Sequence, residues 1–409
     1  MKTTLLLAAL FAATTFSFGQ HPTCDGSRYL NPTYSVDQTL GIQYGSNTTV
    51  GGSNQDLFLD FFEPSGDVAT ARPLIILAFG GSFIGGTRDD MHPFCEYYAS
   101  HGYACATIDY RLYDGPLFPL PDSTVMTDEV IKALGDMKAA IRFFKEDAAN
   151  ANTYRVDPDY IIVGGISAGG IVAAHAGMLD STDVVEPYIL PLVTNNGGWE
   201  GNSSANTQYD SEVLAVLNYS GALRRTDYID PTDVPIFSVH DDNDGTVPYA
   251  FGYASIATFP IISMEGSFLI DQKAQAEGVT SELITYANSS GHVSYFSANA
   301  TTTDTILQRS LEFLYPQVCN ASVSIDPIEA PLDFSVYPNP AQTEITINVK
   351  NGSDYLVNIS DLAGRLTLSK SITAGENKIS VESFNSGVYL IEVIDQQNGK
   401  SLLKRLVVE

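Results

Sequence analysis

Tyr160-Ile161-Ile162-Val163-Gly164 runs directly into Gly165-Ile166-Ser167-Ala168-Gly169-Gly170, and this stretch decides the fold. An apolar run of strand length enters a turn so tight that small residues must flank the serine, and a helix follows. Gly165 and Gly169 bracket Ser167, and Gly170 leaves the helix room to start. The hydroxyl is thereby placed at the carboxyl edge of a sheet, above a helix N-terminus. G-x-S-x-G also fills ordinary turns, so the strand before and the helix after are what give the match its meaning.

A reactive serine needs a base, a carboxylate to orient that base, and donors for a developing oxyanion. In this arrangement acid and base follow the serine along the chain, on loops after later strands. Val234-Pro235-Ile236-Phe237-Ser238-Val239-His240 reads as a buried strand, and Asp241-Asp242-Asn243-Asp244-Gly245-Thr246-Val247-Pro248 is its exit loop. Asp244 is favoured because the Gly-Thr-Val-Pro turn can hold its carboxylate inward, and Asp242 is next. A calcium loop fits poorly, with His240 at the first ligand position and Phe251 at the last. Of the six histidines, His292 alone has the order and loop placement of a base, after the strand-like Ser281 to Tyr286. Ala168, and the loop Phe79-Gly80-Gly81-Ser82 after the strand Leu74 to Ala78, are expected to present oxyanion amides. That loop lacks a Walker lysine and a G-x-G-x-x-G pattern, which argues against a phosphate site.

Taken together, Phe79-Gly80-Gly81-Ser82, Asp109-Tyr110-Arg111-Leu112, Val156-Asp157-Pro158, the Ser167 elbow, the Asp244 turn and Gly291-His292 resemble one branch of the α/β-hydrolases. It is the carboxylesterase and hormone-sensitive-lipase-like branch, which includes secreted feruloyl and acetyl-xylan esterases. The resemblance implies a mostly parallel sheet flanked by helices, with Ser167 as nucleophile and Asp244 and His292 as its partners. It also implies Gly81, Ser82 and Ala168 as oxyanion donors, and hydrolysis of carboxylic esters without metal or cofactor. One departure is Phe79, which stands where the family has the histidine of His-Gly-Gly. A serine peptidase of the same fold, or a non-catalytic binding protein on this scaffold, are the alternative readings. Phe79 and Trp199, the latter in the glycine-rich Asn195 to Asn202 segment, are expected at the substrate pocket.

Residues 1–19, with Lys2 and an apolar core from Leu5 to Ala13, read as an export signal too short to span a membrane. The net charge of −27 lies almost wholly before residue 335, since residues 335–409 carry seven basic and eight acidic side chains. So acidic a body repels nucleic acid and anionic membranes. Cys24 and Cys319 bracket the catalytic segment and are expected to pair, as are Cys95 and Cys105, although four cysteines allow three connectivities. No Cys-x-x-Cys spacing suggests a metal.

The expected organisation is a catalytic domain over residues 20–319, a linker over 320–333 and a small β-sandwich over 334–409. In the catalytic domain seven strand-like runs alternate with helices. The clearest helix carries Val130, Leu134, Met137, Ile141 and Phe144 at helical spacing. After residue 334 short alternating strands follow, with turns expected at Asn351-Gly352, Ala363-Gly364 and Asn398-Gly399. Val336-Tyr337-Pro338-Asn339-Pro340, Asp361-Leu362-Ala363-Gly364-Arg365, Gly387-Val388-Tyr389 and Lys404-Arg405 resemble the type IX secretion sorting domain of Bacteroidota. That resemblance implies type IX machinery as partner and a secreted or cell-surface location beyond both membranes. A carbohydrate-binding module is the competing reading.

Overall fold

Strands whose residues are apolar on both faces can only be buried under helices, and the computed structural model of the chain builds such a layered sheet. It describes residues 21–319, 334–361, 365–396 and 401–408; the expected signal (1–19), linker (320–333) and the turns at 363–364 and 398–399 lie outside them. The described residues form two compact units divided near residue 322.

The first unit contains, in order, β1 (Val36–Thr48), β2 (Asn54–Pro64), β3 (Arg72–Ala78), α1 (His92–Ser100), β4 (Ala104–Ile108) and α2 (Ser123–Ala149). It continues with β5 (Val156–Ile166), α3 (Ala168–Met178), α4 (Ile189–Asn195), β6 (Ala215–Tyr219), β7 (Ala222–Leu223) and β8 (Ile236–Asp241). A hairpin of β9 (Phe251–Ile256) and β10 (Phe259–Gly266), then α5 (Ser267–Glu277), β11 (Ser281–Tyr286), α6 (Tyr295–Ala298) and α7 (Ala300–Cys319) complete it. Eight strands make one sheet in the order β1-β2-β4-β3-β5-β6-β8-β11, antiparallel at the β1 and β2 edge and parallel beyond β4. This is the α/β-hydrolase fold. β3, β4, β6 and β8 are buried at every residue, and all seven expected strand runs of this unit lie in the sheet.

β1 was not legible because it is an edge strand with mostly exposed side chains, which leaves no apolar alternation to read. α2 begins at Asp122, whose side chain accepts from the amides of Thr124 and Val125 at 2.9 Å. Met137, Ile141 and Phe144 then pack on the sheet. Cys24 and Cys319 form a disulfide with Cα atoms 5.6 Å apart. The second expected bridge is absent. Cys95 on α1 and Cys105 on β4 are buried free thiols in contact at 2.9 Å, beyond the roughly 2.05 Å of a bond.

The second unit is all antiparallel: β12 (Phe334–Tyr337), β13 (Glu344–Asp361), β14 (Leu366–Ser380), β15 (Gly387–Asp395) and β16 (Ser401–Val408). Asn351-Gly352 does not turn the chain. β13 runs through it with a register shift, pairing with β12 and β14 in its first half and with β14 and β15 in its second. One long strand with different neighbours at its two ends curls the sheet, and Ala341 pairs beside Val408 at the far edge. The five strands thus make one bent sheet around Ile347, Val357, Ile359, Ile391 and Leu406.

Candidate active site

β5 ends at Ile166 and α3 begins at Ala168, so Ser167 alone reverses the chain, at φ 57° and ψ −115°. A non-glycine residue in this region is strained and must be held from outside. The Ser167 amide donates to the Tyr219 carbonyl on β6 at 2.8 Å, and its carbonyl accepts from Ile171 at 2.9 Å. The bracketing glycines are a steric necessity. A Cβ on Gly169 would stand 2.0 Å from the Ala78 carbonyl oxygen, and one on Gly165 would stand 2.4 Å from the Gly169 backbone.

His292 lies on the loop after β11. Its Nε2 is 2.7 Å from Ser167 Oγ, and its Nδ1 is 2.6 Å from Asp244 Oδ2. The Asp244 side chain is fully buried, and its Oδ1 accepts from the amides of Thr246 at 2.8 Å and Val247 at 3.1 Å. Burial pushes this carboxyl up, but hydrogen bonds from His240 and His292 outweigh it and hold the group at about 2. The carboxylate therefore puts the imidazole proton on Nδ1, leaving Nε2 to accept from the serine hydroxyl.

The neighbouring aspartates hold the histidine loop. Asp242, the second choice from sequence, accepts from the amides of Asn288 and Ser289 at 2.9 Å each. Asp241 accepts from the Ser294 amide at 3.1 Å and also from its hydroxyl. Both ends of the His292 loop are thus clamped to the Asp244 turn.

Sequence reasoning missed His240, which reads only as the end of a strand. It is fully buried, with Nε2 at 3.1 Å from the Val247 carbonyl and 3.4 Å from Asp244 Oδ2. Since a carbonyl only accepts, Nε2 carries the proton and Nδ1 accepts from Ser267 Oγ at 2.8 Å. Ser267 in turn accepts from Asn218 at 3.1 Å, and Asn218 Oδ1 accepts from the Gly221 amide at 2.9 Å. A dry polar chain thus runs behind the carboxylate. Its one sequence signal is the spacing of four between His240 and Asp244.

The loop after β3 is held by the Asp109 to Leu112 segment and the residue that follows it. Tyr110 donates to the Phe79 carbonyl and the Tyr113 amide to the Phe83 carbonyl, each at 2.8 Å. Among the described residues the amides of Gly81, Ser82 and Ala168 have no hydrogen-bond partner. Ser82, Ala168 and Ser167 all line an apolar cavity of about 870 Å³, open mouth included, and Gly81 is not on its wall.

Phe79 and Trp199 do not line this cavity. Phe79 is buried and stacks on Tyr110 at 4.4 Å, because an apolar ring in the histidine position has no reason to face a polar site. Trp199 is half-buried against Leu134, Leu179 and Tyr228. Its segment is drawn over α2 by Lys138 and Arg142, which donate to the Trp199 and Glu200 carbonyls at 2.8 Å.

Residues 59–224 match the BD-FAE family model, and residues 335–409 match that of the secretion system C-terminal sorting domain. The chain is 33% identical over 132 residues to the quorum-quenching protein AidA of Acinetobacter baumannii, covering 32% of this chain and 36% of that one. It is 28% identical over 125 residues to the probable carboxylic ester hydrolase LipM of Mycobacterium tuberculosis, covering 30% and 26%. The chain thus spans about a third or less of the length of these curated relatives. Among solved structures, a thermophilic esterase of Thermogutta terrifontis with propionate bound is similar at 22% identity and TM-score 0.48, over 69% of this chain and 94% of that one. The sorting-domain match marks the chain for export to the cell surface or beyond. Among the described residues no helix is long and apolar enough to cross a membrane.

Proposed function

We propose that this exported chain hydrolyses carboxylic esters by a Ser167-His292-Asp244 triad. What carries the reading is the continuous hydrogen-bond relay from Ser167 Oγ through His292 to the ionised Asp244, beside the unpaired amides of Ser82 and Ala168. The BD-FAE match over the elbow segment supports it. Ser167 Oγ attacks the ester carbonyl while His292 Nε2 takes its proton. Asp244 keeps the ring oriented and stabilises the imidazolium. The carbonyl oxygen becomes an oxyanion received by the Ala168 and Ser82 amides, with Gly81 as a further donor, and the positive end of α3 adds to their field. Collapse breaks the bond to the alcohol oxygen, which takes the proton from His292. A water, deprotonated by the same imidazole, then releases the acid and restores Ser167.

Ser167→Ala should lower p-nitrophenyl butyrate turnover by at least about 10³-fold with an unchanged melting temperature, because triad members act as a unit. A fluorophosphonate probe should label the wild type at Ser167. Turnover retained in the variant refutes the mechanism, and an unreactive wild-type serine refutes the enzyme reading altogether.

A further inference from the structure

The turn that carries the Gly81 and Ser82 amides does not hold itself. Gly81, Ser82 and Phe83 follow one another at φ 129°, 55° and 62°. Two of them are not glycine, so the turn carries strain and persists only where its surroundings impose it. It also lies against the nucleophile, since a Cβ on Gly80 would stand 3.2 Å from Ser167 Cβ and 3.1 Å from the Ile166 carbonyl oxygen. Inside the turn, the amides of Ile84 and Gly85 donate to the Gly81 carbonyl at 3.0 and 3.2 Å. Those bonds close the turn but do not tie it to the rest of the fold.

Most of the hold from outside comes from one side chain. The Tyr110 hydroxyl donates to the Phe79 carbonyl at 2.8 Å, just before the turn. Its ring stacks on the Phe79 ring with centroids 4.4 Å apart, and the Phe83 ring, at the end of the turn, meets it edge-on at 6.0 Å. All three rings are buried. Burial pushes the Tyr110 phenol up, so the hydroxyl keeps its proton and remains a donor. Phe79 has no polar side-chain group to contribute, and among the described residues Tyr110 is the one side chain that hydrogen-bonds residues 79–83. Tyr110 is itself fixed from both sides. The Asp109 amide donates to the Phe58 carbonyl and the Asp109 carboxylate pairs with Arg88, each at 2.8 Å. On the other side the amide and guanidinium of Arg111 both bind the buried Asp136 of α2, at 2.8 and 3.0 Å.

We infer, resting on the ester-hydrolase reading, that Tyr110 is a positioning residue for the oxyanion donors: its hydroxyl and its ring hold the left-handed turn so that Gly81 and Ser82 present their amides beside Ser167. Tyr110 does not line the cavity at the serine, so it acts through the turn and not on the substrate. Its effect falls on the transition state, because the amides contribute most once the carbonyl oxygen is charged.

The test compares the full chain with Tyr110→Phe, which removes one hydroxyl and keeps the ring, in steady-state kinetics on p-nitrophenyl butyrate, with melting curves and inhibition by an alkyl trifluoromethyl ketone alongside. Ser167 Oγ bonds to the ketone carbon, His292 takes the proton, and the ketone oxygen becomes an oxyanion facing the same amides, with no leaving group. In Tyr110→Phe kcat should fall about 10-fold with KM unchanged, and the Ki of the ketone should rise by the same factor. Phe79→Leu, which removes the stack but keeps the carbonyl acceptor, should give the same pattern at about 3-fold, and its result stands in if Tyr110→Phe does not fold. Wild-type kcat and Ki in a folded Tyr110→Phe overturn the inference whatever its melting temperature, and so does a loss carried by KM alone or a fall in kcat with the Ki unmoved; each leaves the ester-hydrolase reading standing. A wild type that neither turns over esters nor takes the fluorophosphonate label sinks the hydrolase reading, and the inference with it.

Discussion

Replacing His240 with leucine tests whether the polar chain behind the Asp244 carboxylate positions it. Asp244 is held at about 2 against an ordinary 3.8, a net stabilisation of its charged form of roughly 2–3 kcal/mol. Burial opposes that stabilisation, and His240 and His292 supply most of it. Loss of His240 removes one of the donors that lower Asp244 but leaves His292 and the Thr246 amide, so the charge survives and the anchoring does not. Oδ2 then has one donor instead of two, and the Val247 carbonyl and Ser267 hydroxyl lose partners in a dry site, at about 1–3 kcal/mol each. The expected result is a fall in kcat/KM of about 10-fold at neutral pH. His240→Gln, which can aim an N–H at the same oxygen, should recover much of the loss. The assay is kcat/KM on p-nitrophenyl butyrate, with melting curves for each variant. A His240→Leu protein that melts lower but keeps the wild-type kcat/KM would make His240 a packing residue and refute the argument.

Asp244→Asn should flatten part of the acid response. A carboxyl depressed in the folded state stabilises above its unfolded value and loses that contribution as pH falls from about 4 through 2, so wild type should lose about 2 kcal/mol more than the variant over that range by urea titration; parallel losses would contradict the assignment. Breaking Cys24–Cys319 by double alanine substitution should cost about 3–5 kcal/mol, since the bridge closes nearly the whole unit with a separation of 295 residues. An unchanged melting temperature would show that the unfolded chain gains little freedom. Trp199→Ala should lower the melting temperature, through lost packing of about 1–3 kcal/mol on Leu134, Leu179 and Tyr228, without changing acyl selectivity; a selective loss on one ester class would return Trp199 to the substrate.

The sequence by itself determined the parts of this protein that depend on local geometry and chain order. A buried strand has to be apolar on both faces, so β3, β5 and β8 could be read directly. A serine reversing the chain between strand and helix has to be flanked by residues without bulk, so Gly165 and Gly169 announced the elbow before any coordinate. Chain order singled out Asp244 and His292, and the fold brings both to Ser167 through hydrogen bonds that join distant loops. Tertiary structure alone decided what faces what. The apolar spacing of α2 reads as a single sheet-packing face, yet Val130 and Ile131 line the cavity while Met137 and Ile141 meet the sheet, because periodicity records burial and not the surface that buries. The β9–β10 hairpin carries exposed Phe251, Tyr253 and Phe259 beside cavity-lining Ala254 and Ile262, so apolar residues occupy both its faces and hydropathy does not tell which one meets the cavity. Asp242 acquires its work only when loops 241–248 and 288–294 meet, and His240 only when the start of α5 brings Ser267 to it. Phe79 and Trp199 were placed at the pocket from their position in sequence, but an aromatic ring settles wherever most of its surface can be covered, and that is a property of neighbours brought in from elsewhere in the chain.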